Sequence, residues 1–335
     1  MIAQALYMRL RRVMLPDFRR NWEKDVEASA TRLRETIDEL RHEVEELRAA
    51  QSSLLVAELD RRDRAQFATV KLSLDAERVR THLDRVLRCA VVEPEPTPHV
   101  VVENVLPDDI YQLLLETMPP PALFSRHDLL KQDFEMDALP TAPRLSHLTW
   151  GFFDRDIVGD IVTPLLVKRF GDAVARHYGG GEVTEFGRQA AAIEHRSFAG
   201  RIQLRRPGYA LKPHLDPKRV AFTGLFYFAK PGDSEAYGTQ LFTVDRPFVQ
   251  SEMKTFFPEQ YGLRCTVART VPYRPNTLFA FVNSTAAHGA TLPVDATLKE
   301  RHAYQFYVKP DDGELKRLLR ALPHEARAAW AGFLN

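Results

Sequence analysis

The sequence predicts an α+β protein in which a long α-helical coiled coil precedes an antiparallel β-barrel or sandwich buttressed by helices. Three observations predict it. Residues 21–88 contain neither Pro nor Gly and are dense in Glu, Arg, Ala and Leu, the composition of a long helix. Pro94, Pro96 and Pro98 then fall too close together for any helix to continue. From residue 189 onward, short runs rich in Phe, Tyr and Val are each bounded by Pro, Gly or Asn, the punctuation of an antiparallel barrel or sandwich.

Composition sets the outer limits. The chain has 335 residues and is 44% hydrophobic, enough to bury a sizeable core in one or two domains plus an appendage. Its 46 basic and 45 acidic residues leave a formal net charge of +1. Nothing in that balance attracts a polyanion, so nucleic acid is not an expected partner. Cys89 and Cys265 stand in unrelated contexts, which excludes a disulfide framework and suits a reducing compartment. A cytoplasmic location is the expectation.

Residues 1–20 form an amphipathic segment. Arg9, Arg11 and Arg12 interrupt any signal-peptide core, and no apolar run approaches the length of a membrane span. The segment reads either as a surface anchor making peripheral membrane contact or as a helix packed on a partner. Residues 21–92 are assigned to the coiled coil. Val26, Ala30, Leu33, Ile37, Leu40, Val44, Leu47, Gln51 and Leu54 recur at alternating steps of four and three, a heptad seam. Ile37 and Val44 at a positions, with Leu33, Leu40, Leu47 and Leu54 at d, favour two parallel strands and hence a homodimer. Gln51 at a would help fix register, and Glu43 at g would face Arg48 at e of the partner. The pattern breaks over residues 58–66 and resumes loosely through Phe67, Val70, Leu74, Val79, Leu83 and Val86, where the coil splays or folds back.

Residues 93–99 make a proline-rich linker, residues 100–310 the main domain, and residues 311–335 a helical tail. The tail's stripe of Leu315, Leu318, Leu319 and Leu322 is read as packing. Within the main domain, HVVVE is a short strand and Pro107-Asp108-Asp109 opens a helix. Residues 156–177 read as a second amphipathic helix, ended by a turn at Gly179-Gly180-Gly181. Trp150, Phe152 and Phe153 are expected in the core rather than at a substrate mouth. The chain has no dinucleotide loop in strand–helix context, no GxxxxGK[ST] phosphate loop, no GxSxG elbow and no paired CxxC framework.

What it has is His214-Leu215-Asp216. If this segment is extended, the imidazole and the carboxylate two residues apart project from one strand face. His288 follows a further strand-like run and supplies a third ligand of the right kind. Two histidines and one carboxylate with open positions opposite suit a non-haem Fe(II) centre. The same letters at His82-Leu83-Asp84 lie in a helical stretch, where such side chains diverge, and carry no site.

The series RRPGYALKPHLD, TGLFYFAKPGDSEAYGTQLF, NTLFAFVNSTAAHGATLPV and RHAYQFYVK resembles the Fe(II)- and 2-oxoglutarate-dependent dioxygenases, in particular their prolyl-4-hydroxylase-like branch, over residues 100–310. The resemblance implies a double-stranded β-helix, or jelly-roll, core. It also implies Fe(II) held by His214, Asp216 and His288 as the catalytic triad, with 2-oxoglutarate as cosubstrate and dioxygen as oxidant. Arg301 matches the basic residue that grips the far carboxylate of 2-oxoglutarate, with Lys299 as a second candidate. Tyr227 matches a tyrosine that assists the same carboxylate, and Thr223 shares its strand face. Gly238-Thr239-Gln240-Leu241 matches a structural turn. Where the branch commonly carries a tyrosine this chain has Arg205, which is expected to face the substrate or an anionic group instead. His195, Arg196 and Arg201 are further candidates for substrate contact.

The implied reaction is hydroxylation of a small molecule, glycan or protein, with decarboxylation of 2-oxoglutarate to succinate; a carboxylate at position 216 favours this over halogenation. Two other readings share the sequence. One is a coiled-coil scaffold with a non-catalytic or ligand-binding jelly roll. The other is a cupin-like metal enzyme that uses no 2-oxo acid and has no need of Arg301.

Overall fold

The structure, a computed structural model, describes residues 2–125, 128–248, 254–284, 286–328 and 330–334. It divides into two units, residues 1–59 and 60–335. In the first unit the described chain is helical throughout, as part of α1 (Ile2–Ser73). The heptad positions Val26, Leu33, Ile37, Leu40, Val44, Leu47 and Leu54 are all exposed, Leu47 and Leu54 by 70% and 74%. They form one apolar seam on a single helix. The side chains of residues 2–21 lie outside the described ones, and with them the amphipathic reading of residues 1–20.

The second unit opens with the last turns of α1 and with α2 (Ala76–Cys89), whose first N–H groups are capped by the Asp75 carboxylate. Here the structure corrects the heptad reading, which carried the coiled coil to residue 92. Val79, Leu83 and Leu87 are fully buried in the main core, and Arg78 pairs with Asp109 at 2.6 Å. An apolar stripe at steps of four serves a globular core as readily as a partner helix. In His82-Leu83-Asp84, His82 meets the Asn104 carbonyl and Asp84 pairs with Arg88, so the helix spreads the two side chains apart as predicted.

The chain continues through β1 (His99–Glu103), α3 (Asp108–Glu116), β2 (Lys131–Glu135), α4 (Arg144–Gly151), a π-helical stretch Phe152–Val162, α5 (Thr163–Tyr178) and α6 (Glu185–Ala192). Asp60 accepts the N–H of Arg144 at 2.6 Å, which ties α1 to the start of α4. Trp150, Phe152 and Phe153 are buried in the core, as expected. Strand β2 is absent from the sequence reading, because KQDFE carries one large apolar residue and no alternation.

Strands β3 (His195–Arg205), β4 (Ala210–His214), β5 (Phe222–Tyr227), β6 (Gln240–Val244), β7 (Cys265–Thr270), β8 (Thr277–Val282), β9 (Ala287–Thr291) and β10 (Arg301–Pro310) follow. They sort into a six-stranded sheet of order β1-β8-β5-β10-β3-β2 and a four-stranded sheet of order β4-β9-β6-β7. All pairs are antiparallel, and β3 pairs β10, β4 pairs β9, β5 pairs β8 and β6 pairs β7. Eight strands in nested pairs, shared between two sheets, are a double-stranded β-helix, the jelly roll. Along β10 the pleat sends Tyr304, Phe306 and Val308 to the core beneath the helices, while Arg301 and Ala303 face the space between the sheets. β5 is buried on both faces, which explains why its sequence lacks a polar–apolar alternation. Helix α7 (Asp312–Ala321) buries Leu315 and Leu319 in the same core, so the tail does pack on the domain. Among the described residues, no helix is long and apolar enough to cross a membrane.

Candidate metal centre

The extended geometry expected of residues 214–216 is present. Leu215 exchanges backbone hydrogen bonds with Phe256 at 2.8 and 2.9 Å and turns its own side chain into a separate apolar cluster. His214 and Asp216 therefore project together to the other face. Across the β4–β9 ladder His214 is the direct partner of His288. One ligand atom from each of His214, Asp216 and His288 lies within 4.8 Å of the others, and all three residues are buried. His288 Nε2 stands 3.6 Å from Asp216 Oδ2, and His214 Nε2 stands 4.0 Å from Asp216 Oδ1.

The surroundings orient these groups for ligation. The Nδ1 proton of His214 meets the Lys212 carbonyl at 2.9 Å, which leaves Nε2 as the free lone pair. Burial, reinforced by His214 and opposed by Asp216, lowers His288 to about 3, so its imidazole is neutral as a metal ligand requires. Thr223 donates to Asp216 Oδ2 at 2.5 Å. The amide of Asn283 donates to the carbonyls of Asp216, Pro217 and Val220 and so fixes the loop after the carboxylate. Phe257 and Phe281 flank the two imidazoles. A two-histidine, one-carboxylate set of this kind fits Fe(II) with coordination positions left open.

At the far end of the same interior, Arg301 is only 3% exposed. Its guanidinium lies between the rings of Tyr227 and Tyr273, 5.2 and 5.3 Å from their centroids, and donates to Thr239 Oγ1 at 3.3 Å. Its Nε is buried without a hydrogen-bond partner, and it forms no ion pair among the described residues. A buried cation without a counter-charge is costly, and a ligand carboxylate would relieve it through paired N–H donors. The Tyr227 hydroxyl donates to Thr239 Oγ1 at 2.8 Å and accepts the Thr239 N–H at 3.0 Å, which holds this corner together.

The candidates named from sequence thus separate. His214, Asp216 and His288 come together, and Tyr227 stands beside Arg301. Lys299 is exposed and takes no part. Thr223, grouped with Tyr227 as a cosubstrate contact, instead supports the Asp216 carboxylate four residues away along β5. Arg205, expected to face a ligand, is fully buried and paired with Asp133 at 2.7 Å, with a further bond to the Gln132 carbonyl. His195 bonds the carbonyl of Ile193, and Arg196 pairs with Glu194. Sequence reasoning missed Thr239, whose turn read as structural, and also Tyr273, Asn283 and Tyr307. The phenol of Tyr307 is pushed up by burial and by the Asp216 carboxylate beside it, against the pull of Arg201. Only the inward parity of position 307, six residues after Arg301, could have pointed to it.

Fold and donor set together define a jelly-roll protein with a two-histidine, one-carboxylate centre and an unpaired arginine within the same barrel. No family model and no curated protein sequence matches the chain. Among solved structures it is similar to a prolyl hydroxylase from Trichoplax adhaerens in complex with a hypoxia inducible factor peptide fragment, with 14% identity over 72% of this chain and 92% of that one and a TM-score of 0.40. It is also similar to a Pseudomonas putida prolyl-4-hydroxylase, with 13% identity over 68% and 98% of the two chains and a TM-score of 0.35. A third is HygX from Streptomyces hygroscopicus with nickel, 2-oxoglutarate and hygromycin B bound, with 13% identity over 64% and 84% and a TM-score of 0.38. Strand order and the three converging ligands, not these overlaps, define the fold and the centre.

Proposed function

We propose that this chain is an Fe(II)- and 2-oxoglutarate-dependent oxygenase that hydroxylates its substrate. The observation that carries the reading is the pairing of the His214–Asp216–His288 centre with the uncompensated Arg301 in one barrel. When bound, iron and 2-oxoglutarate supply the oxidising equivalent: one atom of dioxygen enters a substrate C–H bond and the other enters succinate, with loss of carbon dioxide. The chain's own residues bind and orient. His214, Asp216 and His288 would hold the ion, and Thr223 and Asn283 keep the carboxylate of Asp216 and its loop in place. Arg301 would grip the distal carboxylate of 2-oxoglutarate, with Tyr227, Tyr273 and Thr239 fixing the guanidinium. Phe257 and Phe281 keep the imidazoles in an apolar wall. A cupin-like enzyme with no 2-oxo acid leaves Arg301 unexplained.

The exposed heptad seam supports a second element of the reading, a parallel two-stranded coiled coil that makes the protein a homodimer. The free thiols of Cys89 and Cys265 suit a cytoplasmic setting. The test of the chemistry is anaerobic titration of the metal-free protein with Fe(II) and then 2-oxoglutarate, watching for the visible charge-transfer band of a chelated complex. The band is expected in the parent and absent in His214→Ala. A well-folded parent that binds neither would leave a scaffold as the function to explain.

A further inference from the structure

Strand β3 carries an irregularity where it pairs with Tyr307 of β10. Arg201 is the register partner of Gln305 and Phe198 that of Tyr307, so three steps on β3 match two on β10. The extra residue is a bulge, with Ala199 in the left-handed region at φ 51°. Gly200 leaves room there, because a Cβ would displace the Tyr304 hydroxyl and Asp154 Oδ1, which are themselves hydrogen-bonded. The bulge sets both Phe198 and Arg201 against Tyr307. Without it the alternation of the strand would send one of them to the opposite face.

Arg201 is held in a fixed pose by neutral groups. Its Nε and Nη2 donate to Gln305 Oε1 at 3.1 and 2.7 Å, and Nη2 also meets the Tyr307 hydroxyl at 3.0 Å. Gln203 donates to the same Gln305 oxygen at 2.5 Å. The guanidinium lies 5.4 Å from the Tyr307 ring centroid, and Phe198 packs beside that ring at 5.6 Å. Nη1 has no hydrogen bond among the described residues, and Arg201 forms no ion pair there. The nearer acids favour its charge from a distance without bonding to it: Asp133 is ion-paired with Arg205, and Glu135, opposite Arg201 in the β2–β3 ladder, forms no ion pair with it. Arg219 and Lys309 approach the Phe198 ring at 5.8 and 5.1 Å, with Asp312 the carboxylate they share.

This cation is not a second hold on the far carboxylate of the cosubstrate. Arg301 pairs in register with Arg205, four residues along β3 from Arg201, which is roughly 13 Å of strand. The far carboxylate of a diacid reaching from the metal centre to Arg301 therefore lies away from Arg201. Tyr307 lies opposite Thr223, the residue that supports Asp216, so Arg201 stands at the metal end of the barrel.

We propose that Arg201 selects the substrate, holding an anionic group, a carboxylate or a phosphate, of the molecule oxidised at the His214–Asp216–His288 centre. This rests on the oxygenase reading above. Tyr307 and Phe198 supply the apolar wall for the part of the molecule next to that anion, and the bulge at Ala199–Gly200 is what aims the three residues together. Gln203 and Gln305 act as positioning residues for the guanidinium.

The experiment uses full-length protein saturated with Fe(II) and 2-oxoglutarate under argon. It is titrated calorimetrically with benzoate in one arm, phenyl phosphate in a second and neutral benzamide in a third, while the visible band is recorded. The expected result is that one anion binds and benzamide does not, the better anion naming the group. Arg201→Gln should weaken that binding about tenfold or more and Arg201→Lys less, since a lysine keeps the charge and loses the fork. The 2-oxoglutarate concentration needed for the band should stay the same in both variants. Equal anion binding by parent and Arg201→Gln overturns the proposal, as does equal binding of anions and benzamide, or binding of neither anion while the band is present. Loss of the band in the parent itself is a separate outcome that removes the oxygenase reading and the substrate role of Arg201 with it.

Discussion

The hydroxyl of Thr223 donates to Oδ2 of Asp216 at 2.5 Å, so the carboxylate of the metal centre is anchored to the wall of the six-stranded sheet as well as to its own loop. A ligand oriented in this way meets its ion without reorganisation. Thr223→Val keeps the shape and removes the donor. It should weaken Fe(II) binding roughly 10- to 100-fold in a competition titration against a chelator, and Thr223→Ser should recover most of the loss. Unchanged affinity in Thr223→Val would make the hydroxyl a packing detail.

Arg301 gives a prediction in which stability and binding move in opposite directions. Its charge is buried without a carboxylate, so Arg301→Met should raise the thermal midpoint of the ligand-free protein, by the equivalent of about 1 kcal/mol or more. The parent midpoint should climb with added 2-oxoglutarate by mass action, and the variant's should not. A variant that is less stable and still responds to 2-oxoglutarate would contradict this role.

Acid sensitivity should come in part from buried neutral histidines. Burial lowers His177 and His302 to about 4, below the ordinary value of about 6.5. Between roughly pH 6.5 and 4 the unfolded chain therefore holds more protons than the folded one, and stability falls as the pH falls. Each group contributes up to about 1.4 kcal/mol per pH unit over that window. His177→Gln, whose amide reaches the position of Nε2, keeps a donor toward the Lys218 carbonyl and should flatten the slope by one such contribution in urea unfolding measured from pH 7 to 4.5.

The exposed seam of α1 makes the assembly testable apart from the chemistry. Leu40→Asp places a charge at a d position and should convert a dimer into a monomer in sedimentation equilibrium, with the 2-oxoglutarate band unaffected. A parent that sediments as a monomer at micromolar concentration would end the coiled-coil proposal.

Gly200→Ala tests the bulge. The added methyl meets the Tyr304 hydroxyl and Asp154 Oδ1, and the cost should be about 1–3 kcal/mol in urea unfolding.

Local patterns were legible in the sequence and long-range ones were not. His214 and Asp216 announce a shared face because strand parity acts over two residues. Most of the strands after residue 200 announce themselves by their punctuation, whereas β9, with the small residues of AHGAT, does not. Asp133, the partner of Arg205, lies on an edge strand with almost no apolar content, so Arg205 looked free to meet a ligand. Thr239, Tyr273 and Tyr307 reach their places through the winding of two sheets, which no window of sequence contains. α2 was misassigned because its stripe is the one both a core and a coiled coil require.

The nested pairing of the barrel strands makes the metal centre a clasp. With β6–β7 innermost and β3–β10 outermost, His214 and Asp216 lie on the outgoing arm of one long folded-back ribbon and His288 on the returning arm. Closing each successive pair fixes a longer loop and costs more chain entropy, and an ion held by both arms lends its binding energy to that closure. The amides of β4 and β9 should therefore exchange with solvent sooner than those of β5 and β8 when the protein is stripped of metal, and iron should slow them selectively. The centre would then serve as a fastener of the barrel as well as its reactive point.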